Sequence, residues 1–197
     1  MQGDALSPES VEFLESELRR LEEAREALLK DGRDAMLAIR RAITSVHSGD
    51  EEGAERKLEE ARRVLSGMRN AAAGDLVRYV IPIEAEYVEA SAFRDLAFGH
   101  HLRSARDLGV DPRSYVLGVL DALGECRRLI YDRVREGRIE DAERIFRAAD
   151  DIYSKVAHLA VYDRVAGGLK RKLDTAKVVL DDAARVLTEA RLRCDDR

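Results

Sequence analysis

Apolar residues recur every three or four positions along most of the chain, which is the spacing of one face of an α-helix. The first run follows Ser7 and Pro8, an N-cap residue and a proline suited to the first helical turn. It passes Gly32, which could interrupt or bend a helix, and ends at the polar stretch 48–50. We therefore predict one long first helix, with these apolar positions: Val11, Leu14, Leu18, Leu21, Leu28, Met36, Ile39, Ile43 and Val46.

The same spacing predicts five further helices. They cover about 50–73, 75–99, 115–136, 138–163 and 169–192. Asp111 and Pro112 are the N-cap and first-turn pair that open the helix over 115–136. Pro82 falls inside the third predicted helix, where a proline should produce a kink. No segment shows the alternation that is typical of a strand. We predict an all-α fold, a six- or seven-helix bundle of long antiparallel helices, in a single domain over residues 1–197.

Composition narrows the class of protein. Charged residues make up 37% of the 197 residues and the net charge is −5, which disfavours a wholly basic nucleic-acid-binding surface but allows a local basic patch. The chain contains no run of about 18 apolar residues, so we expect no membrane span. Residues 1–8 lack the pattern of a signal peptide. Two cysteines, Cys126 and Cys194, are too few for a disulfide framework or a zinc cluster. We expect a cytoplasmic protein with reduced thiols.

Two pairs of acidic residues stand at helical spacing. Glu86 and Glu89 are three residues apart, and Asp121 and Glu125 are four apart, so each pair shares one face of its predicted helix. If the two helices meet, four carboxylates gather in one place and repel each other unless a cation lies among them. This predicts an oxygen-ligand site for Mg²⁺ or Mn²⁺. The alternative is that these acids are solvated or paired with arginines.

The positions of the two pairs on their helices favour a cleft. The first pair borders apolar positions of its helix rather than opposing them. The second pair lies with Ser114 and Gly118 on a narrow strip of an otherwise apolar helix. Because Gly118 has no side chain, a ligand or a neighbouring backbone could approach closely there.

Two motifs surround the acidic pairs. One is the run Glu86-Tyr87-Val88-Glu89-Ala90, followed by Phe93, and the other covers residues 114–125, which read SYVLGVLDALGE. The first resembles the catalytic helix of Trax and the second resembles the next Trax signature. This similarity to the translin/Trax family extends over about residues 10–190. It implies a translin-like all-helical fold that assembles into hollow octamers. It also implies that Glu86, Glu89, Asp121 and Glu125 are the catalytic and metal-binding residues of a Mg²⁺-dependent endoribonuclease.

From this resemblance we expect a Trax-like enzyme that cleaves single-stranded RNA inside a self-associated homo-octamer, with single-stranded DNA as a second candidate ligand. One alternative is a non-catalytic oligomer that binds single-stranded DNA or RNA, and another is a helical scaffold. Four arginines are candidates for nucleic-acid contacts by location, with salt bridges as the alternative interpretation: Arg69, Arg78, Arg94 and Arg103.

Overall fold

Seven α-helices and two 3-10 helices form the part of the chain that the structure describes, residues 6–195, with side chains up to residue 193. This computed structural model contains no β-strand within those residues, which confirms the all-α prediction. The α-helices are α1 Pro8–His47, α2 Glu51–Ala71, α3 Ile81–Phe98, α4 Ala105–Leu108, α5 Pro112–Arg135, α6 Ile139–Val156 and α7 Leu169–Asp195. The 3-10 helices cover Gly74–Tyr79 and Ala157–Tyr162.

The helix starts follow the capping signals of the sequence. The Ser7 hydroxyl accepts a hydrogen bond from the backbone N–H of Ser10 at 3.2 Å, and Pro8 lies in the first turn of α1. At the start of α5, the Asp111 carboxylate accepts the N–H of Arg113 at 2.8 Å. Each cap satisfies an N–H that has no partner within its own helix.

Gly32 does not interrupt α1. The helix is continuous from Pro8 to His47, and a Cβ atom on Gly32 would make ordinary contacts with Met68 of α2 and Ile83 of α3. Packing against these two helices therefore outweighs the low helix propensity of glycine.

The segment around Pro82 differs from the prediction. Residues Gly74–Tyr79 form a 3-10 helix, and α3 begins only at Ile81, so that Pro82 lies in the first turn. The N–H that proline lacks would have no partner within the helix at this position, and no backbone hydrogen bond is lost. The predicted kink inside a longer helix is therefore wrong.

Two other boundaries were not visible in the apolar pattern. The predicted helix over 138–163 ends at Val156 and continues as a 3-10 helix. The short helix α4 is set by a capping box, in which the Ser104 hydroxyl accepts the N–H of Asp107 at 3.2 Å and the Asp107 carboxylate accepts the N–H of Ser104 at 2.9 Å.

Helix α5 lies at the centre of the bundle and contacts α3, α6 and α7. Its residues Leu129 and Ile130 belong to an apolar cluster with α1, α2 and α3, whereas Leu120 and Leu123 belong to a second cluster with α6 and α7. Connections of three residues, 48–50 and 136–138, make α1 and α2, and α5 and α6, antiparallel pairs. The middle of α5 is therefore the place where the two halves of the bundle join.

Over the described residues, no helix combines the length and the apolar character needed to cross a membrane. The thiol of Cys126 is buried and free, and burial raises its pKa to about 12, so it is protonated at neutral pH. The side chain of Cys194 and residues 1–5 of the N-terminal stretch lie outside the described residues.

Candidate functional site

Helices α3 and α5 pack closely at Gly118. A Cβ atom on Gly118 would lie 2.2 Å from the carbonyl oxygen of Ala85 and 2.7 Å from the Cβ of Val88, so a larger residue would have to displace backbone. One turn earlier, the Ser114 hydroxyl donates a hydrogen bond to the carbonyl oxygen of Ile81 at 3.1 Å. The strip of α5 that carries Ser114 and Gly118 therefore faces the backbone of α3, as the sequence predicts.

This contact brings the two acidic pairs to one pocket. Glu86 and Glu89 from α3 and Asp121 and Glu125 from α5 line a cavity of about 550 Å³, which α7 borders on another side. The structure thus gathers all four acidic residues that the sequence singled out. The remaining lining residues are Leu120, Gly124, Arg127, Arg171, Lys172, Thr175, Ala176 and Val179.

Glu89 is the carboxyl group most affected by this grouping. Burial is the largest cause that raises its pKa, and repulsion from Glu86, Asp121 and Glu125 adds to it. Attraction to the Lys172 ammonium opposes these effects, and the resulting pKa of Glu89 is about 8. Glu89 therefore carries a proton at neutral pH when no cation is bound.

Two of the four carboxylates have specific partners outside the acidic set. The Lys172 ammonium donates a hydrogen bond to Asp121, and His47 Nε2 lies 2.7 Å from Glu125 Oε2. The His47 ring also packs against Phe93, with 4.8 Å between ring centroids, and its Nδ1 is buried without a hydrogen-bond partner among the described residues. α1 and α7 thus each supply a side chain that contacts one carboxylate of the pocket.

The donor set suits a hard divalent cation. Mg²⁺ and Mn²⁺ prefer carboxylate oxygens and keep several waters, for which a cavity of about 550 Å³ leaves room. Within the described residues, no three His, Cys, Asp or Glu side chains form a group that could hold a metal ion as they stand. Binding by the four carboxylates would therefore need side chains to reorient, and the metal stays a prediction.

The sequence analysis did not identify the contributions of α1 and α7. His47 is separated from Glu125 by 78 positions and Lys172 from Asp121 by 51, so no local spacing links them. The sequence analysis also did not single out Arg171, because basic residues are frequent on all the predicted helices. The only available signal was that His47 and Lys172 each lie near the end of a helix, and this is too common to be informative.

The candidate arginines lie outside this pocket, and three of them form ion pairs. Arg69 binds the buried Glu84 through its Nε at 2.8 Å and one terminal nitrogen at 2.6 Å. Arg94 and Arg103 both bind the buried Asp95, at 3.0 Å and 3.3 Å. These contacts agree with the salt-bridge interpretation.

Arg78 is the fourth candidate. It is exposed, lies 5.1 Å from the centroid of the Tyr79 ring and donates a hydrogen bond to the Tyr79 hydroxyl at 3.3 Å. A role for these four arginines in nucleic-acid binding stays a prediction.

No protein-family model matches the chain. It is 25% identical over 176 residues to the uncharacterized protein MJ0175 of Methanocaldococcus jannaschii, an alignment that covers 88% of this chain and 79% of that protein.

Solved structures give a closer comparison. The chain is similar to AfC3PO of Archaeoglobus, both in its crystal structure and in its complex with duplex RNA, with a TM-score of 0.86 and 28% identity. These matches cover 93% of this chain and 97% of AfC3PO. The crystal structure of apo-NeC3PO from Nematostella has a TM-score of 0.85 at 21% identity, covering 94% of this chain and 99% of that one, and supports the fold alone. The resemblance indicated by the two acidic motifs is confirmed, and the chain is a translin/Trax-like protein with the helical fold of C3PO.

Proposed function

We propose that this protein is an RNA-binding oligomer and a Mg²⁺-dependent endoribonuclease that acts on single-stranded RNA. One observation carries the proposal: the four acidic residues at the Trax-like motif positions line a single pocket. The fold supports RNA as the ligand, because the similar AfC3PO has been solved in complex with duplex RNA.

The pocket residues suit phosphodiester hydrolysis. Glu86, Glu89, Asp121 and Glu125 would hold Mg²⁺ or Mn²⁺, which when bound supplies Lewis-acid polarisation of the scissile phosphate. A carboxylate oxygen of this set accepts a proton from the attacking water as the new P–O bond forms. The P–O bond to one ribose oxygen breaks, and that oxygen takes up a proton from solvent water as it leaves.

Two side chains hold carboxylates of this set in place. Lys172 binds Asp121, and His47 binds Glu125, so these two acids have direct partners that keep them at the pocket before a substrate arrives. Restricting their motion lowers the entropic cost of aligning the reacting groups, and the side chains reorient when the metal binds. In this proposal the chain contributes positioning, proton acceptance and a partly buried setting.

Single-stranded RNA is the proposed substrate because the scissile phosphate must reach the pocket on an unpaired, flexible backbone. Single-stranded DNA shares that backbone flexibility and is a further possible ligand. Comparing single-stranded RNA with the duplex of the same sequence tests this preference. Equal or faster cleavage of the duplex would contradict it.

We further propose that the chain self-associates as a homo-octamer in the cytoplasm, with the pockets facing an interior space. Such an arrangement would limit the length and structure of the RNA that reaches each pocket. Light scattering coupled to size-exclusion chromatography measures the mass of the assembly. A monomeric particle at all concentrations would overturn this part of the proposal.

The decisive experiment compares cleavage of a labelled single-stranded RNA by three proteins, each with Mg²⁺ and with EDTA. They are the wild type, Glu89→Ala and the control Glu140→Gln, which removes an exposed carboxylate of α6 that does not line the pocket. We expect Mg²⁺-dependent cleavage that Glu89→Ala reduces at least about 100-fold, since a group in the reacting set is lost, and that Glu140→Gln leaves unchanged.

Other outcomes of this experiment separate the alternatives. If no protein cleaves RNA but all retard it on a gel, the protein is a non-catalytic nucleic-acid binder. If none binds RNA and Mg²⁺ does not raise the melting temperature, the chain is a helical scaffold, because a ligand that binds only the native state must stabilise it. Equal cleavage by all three proteins would indicate a contaminating ribonuclease or another site.

A further inference from the structure

Three cationic side chains line the same pocket as the four carboxylates. Arg171 and Lys172 come from the first turns of α7, and Arg127 comes from α5. Lys172 is half-buried against Asp121, whereas Arg127 lies 3.6 Å from Asp182 and is 43% exposed. Pairing with acids accounts for Lys172 and Arg127 but leaves the third cationic side chain, Arg171, unexplained.

Arg171 differs from the other arginines discussed above. Its side chain is exposed at the pocket and makes no ion pair or hydrogen bond with any residue in the described part of the chain. The ordinary interpretation of an exposed helix arginine is a solvated side chain. Its position on the lining of an acidic pocket, next to Lys172, gives it a second possible role, because a guanidinium can bind a phosphate through two N–H groups.

The charge balance of the pocket shows why such a group would matter. Four ionised carboxylates exceed the three cationic side chains by only one charge, so the lining is close to electrical balance even without a cation. Each cationic group therefore matters for holding an anionic ligand. A phosphodiester backbone carries a charge at every nucleotide, so the phosphates that flank the scissile one also need cationic partners.

We propose that Arg171, with Lys172 and Arg127, forms a phosphodiester-binding subsite on the α7 side of the pocket. This inference rests on the proposed function, because it concerns how the same pocket holds its nucleic acid. Arg171 binds a phosphate adjacent to the scissile one. Lys172 bridges Asp121 and the backbone, so that it links the cationic and the acidic parts of the site.

The test uses binding without cleavage. Fluorescence anisotropy of a short labelled oligouridine is measured in EDTA at increasing KCl, for the wild type, Arg171→Gln and Lys170→Gln. Lys170 precedes Arg171 on α7 and is also exposed, but it does not line the pocket. The two variants therefore lose the same charge from adjacent positions, and circular dichroism confirms that both are folded.

We expect Arg171→Gln to weaken binding about five- to tenfold and to lower the slope of log K against log salt by about 0.7, which is the effect of one lost phosphate contact on a single strand. Lys170→Gln should stay within about twofold of the wild type, because only the screened long-range charge is removed. Equal affinities for the two variants, whether both weakened or both unchanged, would overturn the subsite. If the wild type binds RNA with Mg²⁺ but not in EDTA, the subsite fails and the proposed function stands. If it binds RNA under neither condition, both fail.

Discussion

Helix α3 carries carboxylates into two different surroundings. Glu84 and Asp95 are almost fully buried, and arginines bind both of them. Glu86 and Glu89 lie on another face of the same helix and line the pocket with Asp121 and Glu125, and none of these four forms an ion pair with an arginine in the described part of the chain. Carboxylates on one face of α3 therefore have arginine partners, and those on the pocket face have none among the described residues.

The arginine-paired face connects helices. Asp95 joins Arg94 and Arg103, which in turn bind Glu51 and Glu55 of α2 at 2.7 Å and 3.1 Å. Such a network pairs the buried Asp95 carboxylate with opposite charges and fixes how α2 and the chain after α3 sit on α3.

Glu84 has a similar role near the start of α3. One carboxylate oxygen binds Arg69 of α2, and the other accepts the backbone N–H of Asp111 at 2.9 Å, just before α5. This buried acid therefore ties α2 and the start of α5 to α3.

The difference between the two faces distinguishes carboxylates that hold helices together from carboxylates that could bind a ligand. A carboxylate that is fully paired has no remaining need for a ligand, whereas four carboxylates with only a lysine and a histidine as direct partners can gain from a bound cation. The contrast predicts that removing a carboxylate costs more stability on the arginine-paired face than on the pocket face.

The largest expected effect is that of Asp95→Asn. Removing the charge leaves Arg94 and Arg103 partly buried with one partner fewer, and we expect unfolding to become easier by about 3 kcal/mol. Asp121→Asn, on the pocket face, should change stability by less than about 1 kcal/mol because it also relieves repulsion. Urea denaturation at one fixed protein concentration measures both. Equal losses in the two variants would contradict the distinction between the faces.

An intermediate effect is expected in the pH dependence of stability. The folded pKa of Glu89, about 8, lies above its ordinary value of 4.5, so the native state holds a proton that the unfolded state releases. Stability should therefore fall as pH rises from about 4.5 to about 8 and then level off. Glu89→Gln removes this decline, so the variant should be more stable than the wild type at the upper end of the range.

Thermal melts of both proteins across this pH range, without divalent cations, check the Glu89 prediction. Glu140→Gln serves as the control for loss of an exposed carboxylate. Parallel curves for the wild type and Glu89→Gln would show that Glu89 titrates normally in the native state.

The smallest expected effect distinguishes two histidine–glutamate pairs. The His47–Glu125 pair has side chains that are 15% and 26% exposed, whereas the His100–Glu51 pair is 46% and 38% exposed. We expect His47→Leu to lower stability by about 1 kcal/mol because a partly buried carboxylate loses its donor. His100→Leu should cost less than about 0.5 kcal/mol, since water replaces the lost contact.

A second substitution at His47 tests whether its hydrogen bond to Glu125 contributes to stability. His47→Gln keeps an N–H group that can reach Glu125 and should recover part of the loss, as measured by the urea midpoint. If His47→Leu and His47→Gln are equally stable, the hydrogen bond to Glu125 does not contribute and only the packing of the ring against Phe93 does.

The sequence by itself determined the helices, most of their caps and the two acidic pairs. These features depend on residues within a turn or two of each other, where a period of three to four fixes which side chains share a face. The glycine at position 118 even indicated the strip of α5 on which another backbone would lie. Where local chemistry allowed two answers, as at Pro82, the apolar pattern gave the wrong helix boundary.

Only the tertiary structure decided which acids are paired and which are not. Glu84 and Glu86 are two residues apart on one helix, and nothing in their local sequence shows that Arg69 binds the first while the second lines a pocket. The arrival of His47 and of α7 at that pocket is likewise a result of helix packing over 78 and 51 positions of chain. Charge pairing depends on which helix faces which, and packing of the whole core sets that choice rather than any local spacing.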